Sequence, residues 1–126
     1  MNTLLKCALI LAFVGLSMQV SPTVIARANS LIGKSRSEYV CNQVVNYALL
    51  GHKDGGRLAS GYLSYGHRVS SPQAGDVVVA NDGSHVGIFV TSSQFIHSSS
   101  SRYQVIKVGT DQLKYVFPSG YQIRRE

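Results

Sequence analysis

Asp76-Val-Val-Val-Ala-Asn-Asp-Gly-Ser-His-Val-Gly-Ile-Phe-Val90 is the stretch whose reading decides the fold. Two β-branched runs, Asp76–Ala80 and His85–Val90, flank Asn81-Asp-Gly83, a strong tight-turn signal. Further short β-branched or aromatic runs follow at Ser93–His97, Tyr103–Val108 and Tyr121–Arg125, separated by turn residues. About five strands in this order predict an antiparallel meander. In the second strand Val86, Ile88 and Val90 would face the core, which turns His85, Gly87 and Phe89 to the other side. His85 then stands at a strand end.

Upstream the period changes from two to 3.6. Ser21-Pro22 suits a helix start, with Ser as N-cap and Pro at the first helical position. Val24, Ile25, Ala28, Leu31 and Ile32 recur at helical spacing until Gly33. Gly33–Val40 is a polar connection into a second helical run, Cys41-Asn-Gln-Val-Val-Asn-Tyr-Ala-Leu-Leu50, closed by Gly51. The glycine-rich stretch Gly51–Ser71 reads as loop with one short helix around Arg57–Tyr65. Helices first and strands after predict an α+β domain, the helices packed on one sheet face.

The first residues have another purpose. Lys6 precedes the apolar run Cys7–Leu16, too short to span a bilayer, and Gly15-Leu16-Ser17 is a small-x-small cleavage signal. The expectation is a signal peptide over 1–17, cut after Ser17, and one monomeric domain over 18–126. That domain would be secreted, extracellular or, in a bacterium, periplasmic, with no stable membrane insertion. The net charge of +6 suits acidic polymers such as cell wall. The basic residues are dispersed and form no stripe with interleaved aromatics, which argues against nucleic acid.

Cleavage would remove Cys7 and leave Cys41 as the single thiol, so no internal disulfide accounts for it. Cys41 heads a helix, where dipole and a nearby imidazolium would lower its pKa toward the reactive thiolate. Its backbone N–H is placed to help hold an oxyanion. His85 supplies a base, and His97 on the next strand an orienter for its other ring nitrogen, expected to be Nδ1. This scheme needs both imidazoles side by side on the face toward Cys41. A free Cys is more often a small buried hydrophobe, and a strand-end His is often satisfied by a turn. The three together read as the chemistry of a cysteine hydrolase. Zinc held by Cys41, His85 and His97 is disfavoured, for want of a close ligand pair and a fourth donor. No metal and no cofactor are expected. Ser84 beside the base is a candidate for lining the substrate groove, and Asp76 a structural cap at the start of its strand.

Several segments, in this order, resemble the NlpC-like cysteine peptidases, a papain-like family of cell-wall hydrolases. They are Ala28-Asn-Ser-Leu-Ile-Gly33, Cys41, Pro72-Gln-Ala-Gly-Asp-Val-Val-Val79, Ser84-His-Val-Gly-Ile-Phe-Val90, Phe95-Ile-His97 and Tyr121-Gln-Ile-Arg-Arg125. The resemblance implies a papain-like fold with Cys41 as nucleophile, His85 as general base and acid, and His97 as third polar residue. It also implies bacterial peptidoglycan peptides as partners, cut at peptide or amide bonds next to γ-D-glutamyl. The chain departs from the family where Val40-Cys41-Asn42-Gln43 replaces the frequent Asp-Cys-Ser-Gly. A Pro-Tyr followed by paired glycines is also missing before the nucleophile, and Tyr39 is the candidate to replace that pocket wall. Two other readings compete. One is an N-acetylmuramoyl-L-alanine amidase of the CHAP kind, whose third residue is usually Glu or Asn. The other is a non-catalytic secreted wall-binding effector with the same fold, against which the intact Cys, His, His trio argues.

Overall fold

The computed structural model describes residues 22–126. The expected leader, its cut after Ser17 and the N-cap Ser21 lie outside the described residues. Helix α1 spans Pro22–Ser30 and helix α2 spans Cys41–Leu50. Ala28 and Leu31 are buried against the buried stripe of α2, Val44, Val45 and Ala48. Helix α2 stops at Gly51, whose φ of 84° closes a left-handed cap with its N–H on Tyr47 O at 2.9 Å. A 3-10 helix, Ala59–Ser64, brings Tyr62 into the same cluster, where its hydroxyl donates to Asn46 Oδ1 at 2.6 Å.

Six strands follow: β1 (His67–Val69), β2 (Val77–Ala80), β3 (Val86–Phe89), β4 (Gln94–Ser99), β5 (Gln104–Gly109) and β6 (Tyr121–Arg125). They form one antiparallel sheet in the order β1-β6-β2-β3-β4-β5. β2 to β5 are the expected meander. The last strand instead crosses back to lie between β1 and β2, and β1 occupies a stretch expected to be loop. A three-residue strand flanked by glycine carries too little period to be read locally; β6 creates it by pairing Val69 with Ile123.

The helices cover one face of the sheet, as expected, but the other face is covered too. Val77, Val79, Val86, Ile88 and Ile96 join the helix-side core, while Val78, Ala80, Phe89, Phe95 and Ile123 pack with Leu113 and Phe117 on the far side. Leu113 opens a short helix, α3 (Leu113–Val116), which with Phe117 caps that face. This explains why Val77-Val-Val-Ala80 is apolar without alternation: a central strand buried on both faces has no solvent side. Asp76, 1% exposed, accepts from Gln73 N at 2.8 Å and takes the Arg125 guanidinium at 2.8 Å, tying the start of β2 to the end of β6. It is the structural cap that its position suggested.

Candidate active site

The β2–β3 connection sets His85 in place. Gly83 N–H bonds Ala80 O at 2.8 Å with φ 74°, and Asp82 Oδ1 accepts from both Ser84 N and Ser84 Oγ. Ser84 therefore spends its hydroxyl inside the turn, at 2.6 Å from Asp82, beside the base rather than over it. His85 is half-buried and leads directly into β3.

Register then decides its neighbour. Ile88 pairs with Ile96, so His97 lies across from Gly87 and His85 is diagonal to it on the same face. The two imidazoles meet edge to face, centroids 5.1 Å apart at 88°, with His85 Nε2 2.9 Å from His97 Nδ1. Gly87 makes room for this contact. A Cβ there would stand 3.0 Å from Ile96 O and 3.3 Å from His97 Cβ. Phe117 packs on His85 at 5.4 Å and Phe95 on His97 at 5.5 Å.

Two expectations change here. The orienting contact uses Nε2 of His85, not Nδ1, because His97 approaches from the β4 side; Nδ1 is left without a partner among the described residues. The pair also lies on the aromatic face with Phe89 and Phe95, whereas Cys41 packs against the helix-side cluster. Strand alternation forces this, since Val86 and Ile88 belong to the helix side. Thiol and base come closest at the strand end, where the N–H of Val86, the peptide next to His85, pulls the Cys41 thiol pKa down. No hydrogen bond joins Cys41 to His85 directly among the described residues.

Helix α2 supplies the thiol's other donors. Val40 N–H is held by Gln43 Oε1 at 3.0 Å, but valine offers no side-chain acceptor to the first turn. The N–H groups of Cys41 and Asn42, without intrahelical acceptors, turn to the thiol instead. Burial nevertheless wins: it pushes the Cys41 thiol above its ordinary value, against the pull of Asn42, Val86, the Arg36 charge and its own N–H. The lowered thiol pKa expected from helix and imidazolium is thus not what the site provides. The expected imidazolium is missing as well. Burial, and then the Arg36 charge, bring His85 down to about 4, so no imidazolium is present at neutral pH. His97 is 4% exposed and also falls to about 4, through burial first and His85 second. Its Nε2 is buried with no partner among the described residues.

Tyr39 stands at the loop leading into Cys41. Its carbonyl accepts Ser98 Oγ at 2.6 Å, and its ring packs edge-on to Tyr47 beneath the Lys53 ammonium, 4.8 Å away. Sequence reasoning missed three participants. Gly87 and Phe117 have no local signal, because what they touch is set by pairing and by the far-side cap. Arg36 had one, a cation five positions before the nucleophile. Among the described residues no group of three or more His, Cys, Asp or Glu is arranged to hold a metal ion, and no helix is long and apolar enough to cross a membrane.

Comparison with known structures finds the same fold. The peptidoglycan hydrolase RipB from Mycobacterium tuberculosis superposes with a TM-score of 0.63 at 19% identity, over 82% of this chain and 62% of that one. The NlpC/p60 domain of the peptidoglycan hydrolase SagA gives 0.61 at 20% identity, over 85% of this chain and 100% of that one. NlpC1 from Trichomonas vaginalis gives 0.58 at 22% identity, over 81% of this chain and 42% of that one. This chain thus spans under two thirds of the RipB and NlpC1 structures. Comparison with curated protein sequences returned no match. Residues 30–122, which hold Cys41, His85 and His97, match the NlpC/P60 family, and the chain belongs to that family.

Proposed function

We propose that this chain is a secreted cysteine hydrolase that cuts peptide or amide bonds in the stem peptides of bacterial peptidoglycan, of the γ-D-glutamyl endopeptidase type. The observation that carries this reading is the His85–His97 pair, Nε2 to Nδ1 2.9 Å at the start of β3, with Cys41 heading the helix packed on the same sheet and its thiol influenced by the Val86 N–H next to His85. Family membership supports the substrate class.

The resting site holds a neutral thiol and neutral imidazoles, so attack is general-base assisted rather than launched from a standing ion pair. For His85 to accept at Nδ1, its Nε2 carries the proton and donates to His97 Nδ1, which places the His97 proton on Nε2. Attack requires the His85 ring at the strand end to turn its Nδ1 to the Cys41 thiol when substrate binds, a tightening that catalytic hydrogen bonds commonly show. Cys41 Sγ then adds to the scissile carbonyl while its proton moves to His85. The N–H groups of Cys41 and Asn42, which act on the thiol in the resting site and have no intrahelical acceptor, are the donors available to the developing oxyanion. His85 returns the proton to the leaving amine, and then activates water against the thioester.

The test is digestion of purified peptidoglycan by wild type beside Cys41→Ala, with mass analysis of the fragments. Cleavage within the stem peptide, lost in the variant, is expected. Release of whole stems from muramoyl groups would make the chain an amidase instead.

A further inference from the structure

Two arginines face each other at the sheet margin farthest from β5. In the β1–β6 pairing Arg68 stands opposite Arg124, and like charges directly opposed cost stability. Val77 pairs with Arg124 and Val79 with Gln122, which puts Arg124 and Gln122 on the helix-side face, and Arg68 shares that face through its register. A charged, exposed β1 is ordinary protection for a sheet edge, and it accounts for Arg68. It does not account for Arg124, which is half-buried on an inner strand between β1 and β2. The Arg124 guanidinium is spread over neutral acceptors: Nε donates to Tyr65 O at 2.9 Å, Nη2 to Gly66 O at 3.3 Å and Nη1 to Gln122 Oε1 at 3.1 Å. Further N–H donors stay free, and no acid answers its charge among the described residues. The Arg68 guanidinium and the Ser70 hydroxyl have no partner among the described residues. Glu126, two positions beyond Arg124, forms no ion pair with either arginine, and Asp76 is taken by Arg125. Pairing with β1 ends at Val69, and beyond it the free side of Tyr121-Gln122 opens into a groove of about 500 Å³. Arg68, Val69, Ser70, Tyr121, Gln122 and Ile123 line it.

We propose that this groove is an anion-binding subsite, separate from the Cys41 site, that seats a phosphodiester group of an anionic wall polymer between Arg68 and Arg124. A contrast within the molecule selects the anion. One guanidinium, Arg125, satisfies both carboxylate oxygens of Asp76, so a planar carboxylate leaves a second arginine little to bind. A phosphodiester turns its two unesterified oxygens in different directions, one for each guanidinium, and its charge offsets the repulsion between them. Arg124 is already held by its neutral acceptors, so binding has only Arg68 to order. Val69, Tyr121 and Ile123 give an apolar wall to the carbon chain between phosphates. A polyol phosphate of the wall is the polyanion that a peptidoglycan hydrolase meets, so the occupant rests on the hydrolase reading above, whereas the anion site does not. His85 leads into β3, with β6 and β2 between it and β1, so a polymer seated at this edge anchors the enzyme without filling its active site.

The test is calorimetric binding of a synthetic glycerol-phosphate oligomer to wild type, Arg68→Gln, Arg68→Lys and Lys107→Gln, the last an exposed cation on the opposite edge strand. Arg68→Gln should weaken binding about 10-fold or more, the range of a charge-assisted contact. Arg68→Lys should keep part of the affinity and Lys107→Gln nearly all of it. Arg68→Gln should melt no lower than wild type, since it removes a charge opposed to Arg124, so lost binding is not lost fold. Equal weakening by Arg68→Gln and Lys107→Gln reduces the site to general surface charge and overturns the proposal. So does polyglutamate bound as tightly through Arg68, or a single-stranded DNA oligomer bound more tightly than the glycerol phosphate. In turnover, Arg68→Gln should cut a short soluble stem peptide at the wild-type rate and lag on walls that carry polyol phosphate. The lag should vanish on walls stripped of that polymer; a lag that persists there overturns the anchoring role. If nothing is cut yet binding still depends on Arg68, the hydrolase reading fails while the anion site stands.

Discussion

Acid should unfold this protein through two histidines. His85 and His97 each sit at about 4 in the fold, against an ordinary 6.5. Between those values the unfolded chain binds protons that the folded chain refuses, so stability is complete above pH 6.5 and drains as pH falls toward 4. One pKa unit is worth about 1.4 kcal/mol, so two imidazoles give a slope that steepens from about 1.4 kcal/mol per pH unit at pH 6.5 to approaching about 3 midway between the two values. By pH 4.5 the upper limit of the loss is about 5 kcal/mol, the low end of a typical domain's whole stability. The two imidazoles carry comparable shares, since both fall to the same value. The assay is urea denaturation of wild type and His97→Gln from pH 7 to 4.5. The amide keeps a hydrogen bond to His85 without titrating, and carboxylate protonation common to both proteins cancels in the difference. Wild type should lose about 2 to 3 kcal/mol more than the variant over that range. Parallel curves, or a His97 resonance titrating near 6.5, would refute the burial argument.

The same values predict that kcat/KM rises as pH climbs through about 4, since His85 accepts a proton only when neutral. A rise centred near 6.5 instead would show a solvated base. His97→Gln should keep more activity than His97→Ala, because an amide oxygen still accepts from His85 Nε2; equal turnover of the two, read as kcat on peptidoglycan fragments, would remove the orienting role. Gly87→Ala should cost about 1 to 3 kcal/mol by overpacking against Ile96 O and His97 Cβ. It should also lower activity at temperatures where the fold persists, and an unaffected melting temperature with full turnover would contradict the packing.

Much of this was legible in the sequence because it is local. The period of Val24 to Leu31, the Gly51 stop, and the Asn81-Asp-Gly83 turn each leave a mark within a few residues, and each falls where expected. The partnership of His85 and His97 was legible too, since adjacent short strands bring such positions together. What stayed hidden depends on distant pairing. β1 exists only because β6 returns from the far end of the chain to meet it. The far-side layer, with Phe117 on His85, comes from a short helix in a stretch that reads as connection. The thiol and imidazole pKa values were misjudged for a related reason: helix dipole is written in the sequence, but burial is not, and burial dominates all three.

The central claim is that Cys41 and His85 act as one unit, although they meet here only through the Val86 peptide. A double-mutant cycle tests it directly: rates of peptidoglycan cleavage for wild type, Cys41→Ser, His85→Asn and the double variant. The account predicts that the double variant is no slower than the more damaged single one, because either change disables the same proton transfer. Losses that multiply, or a His85→Asn protein that still turns over, would contradict it.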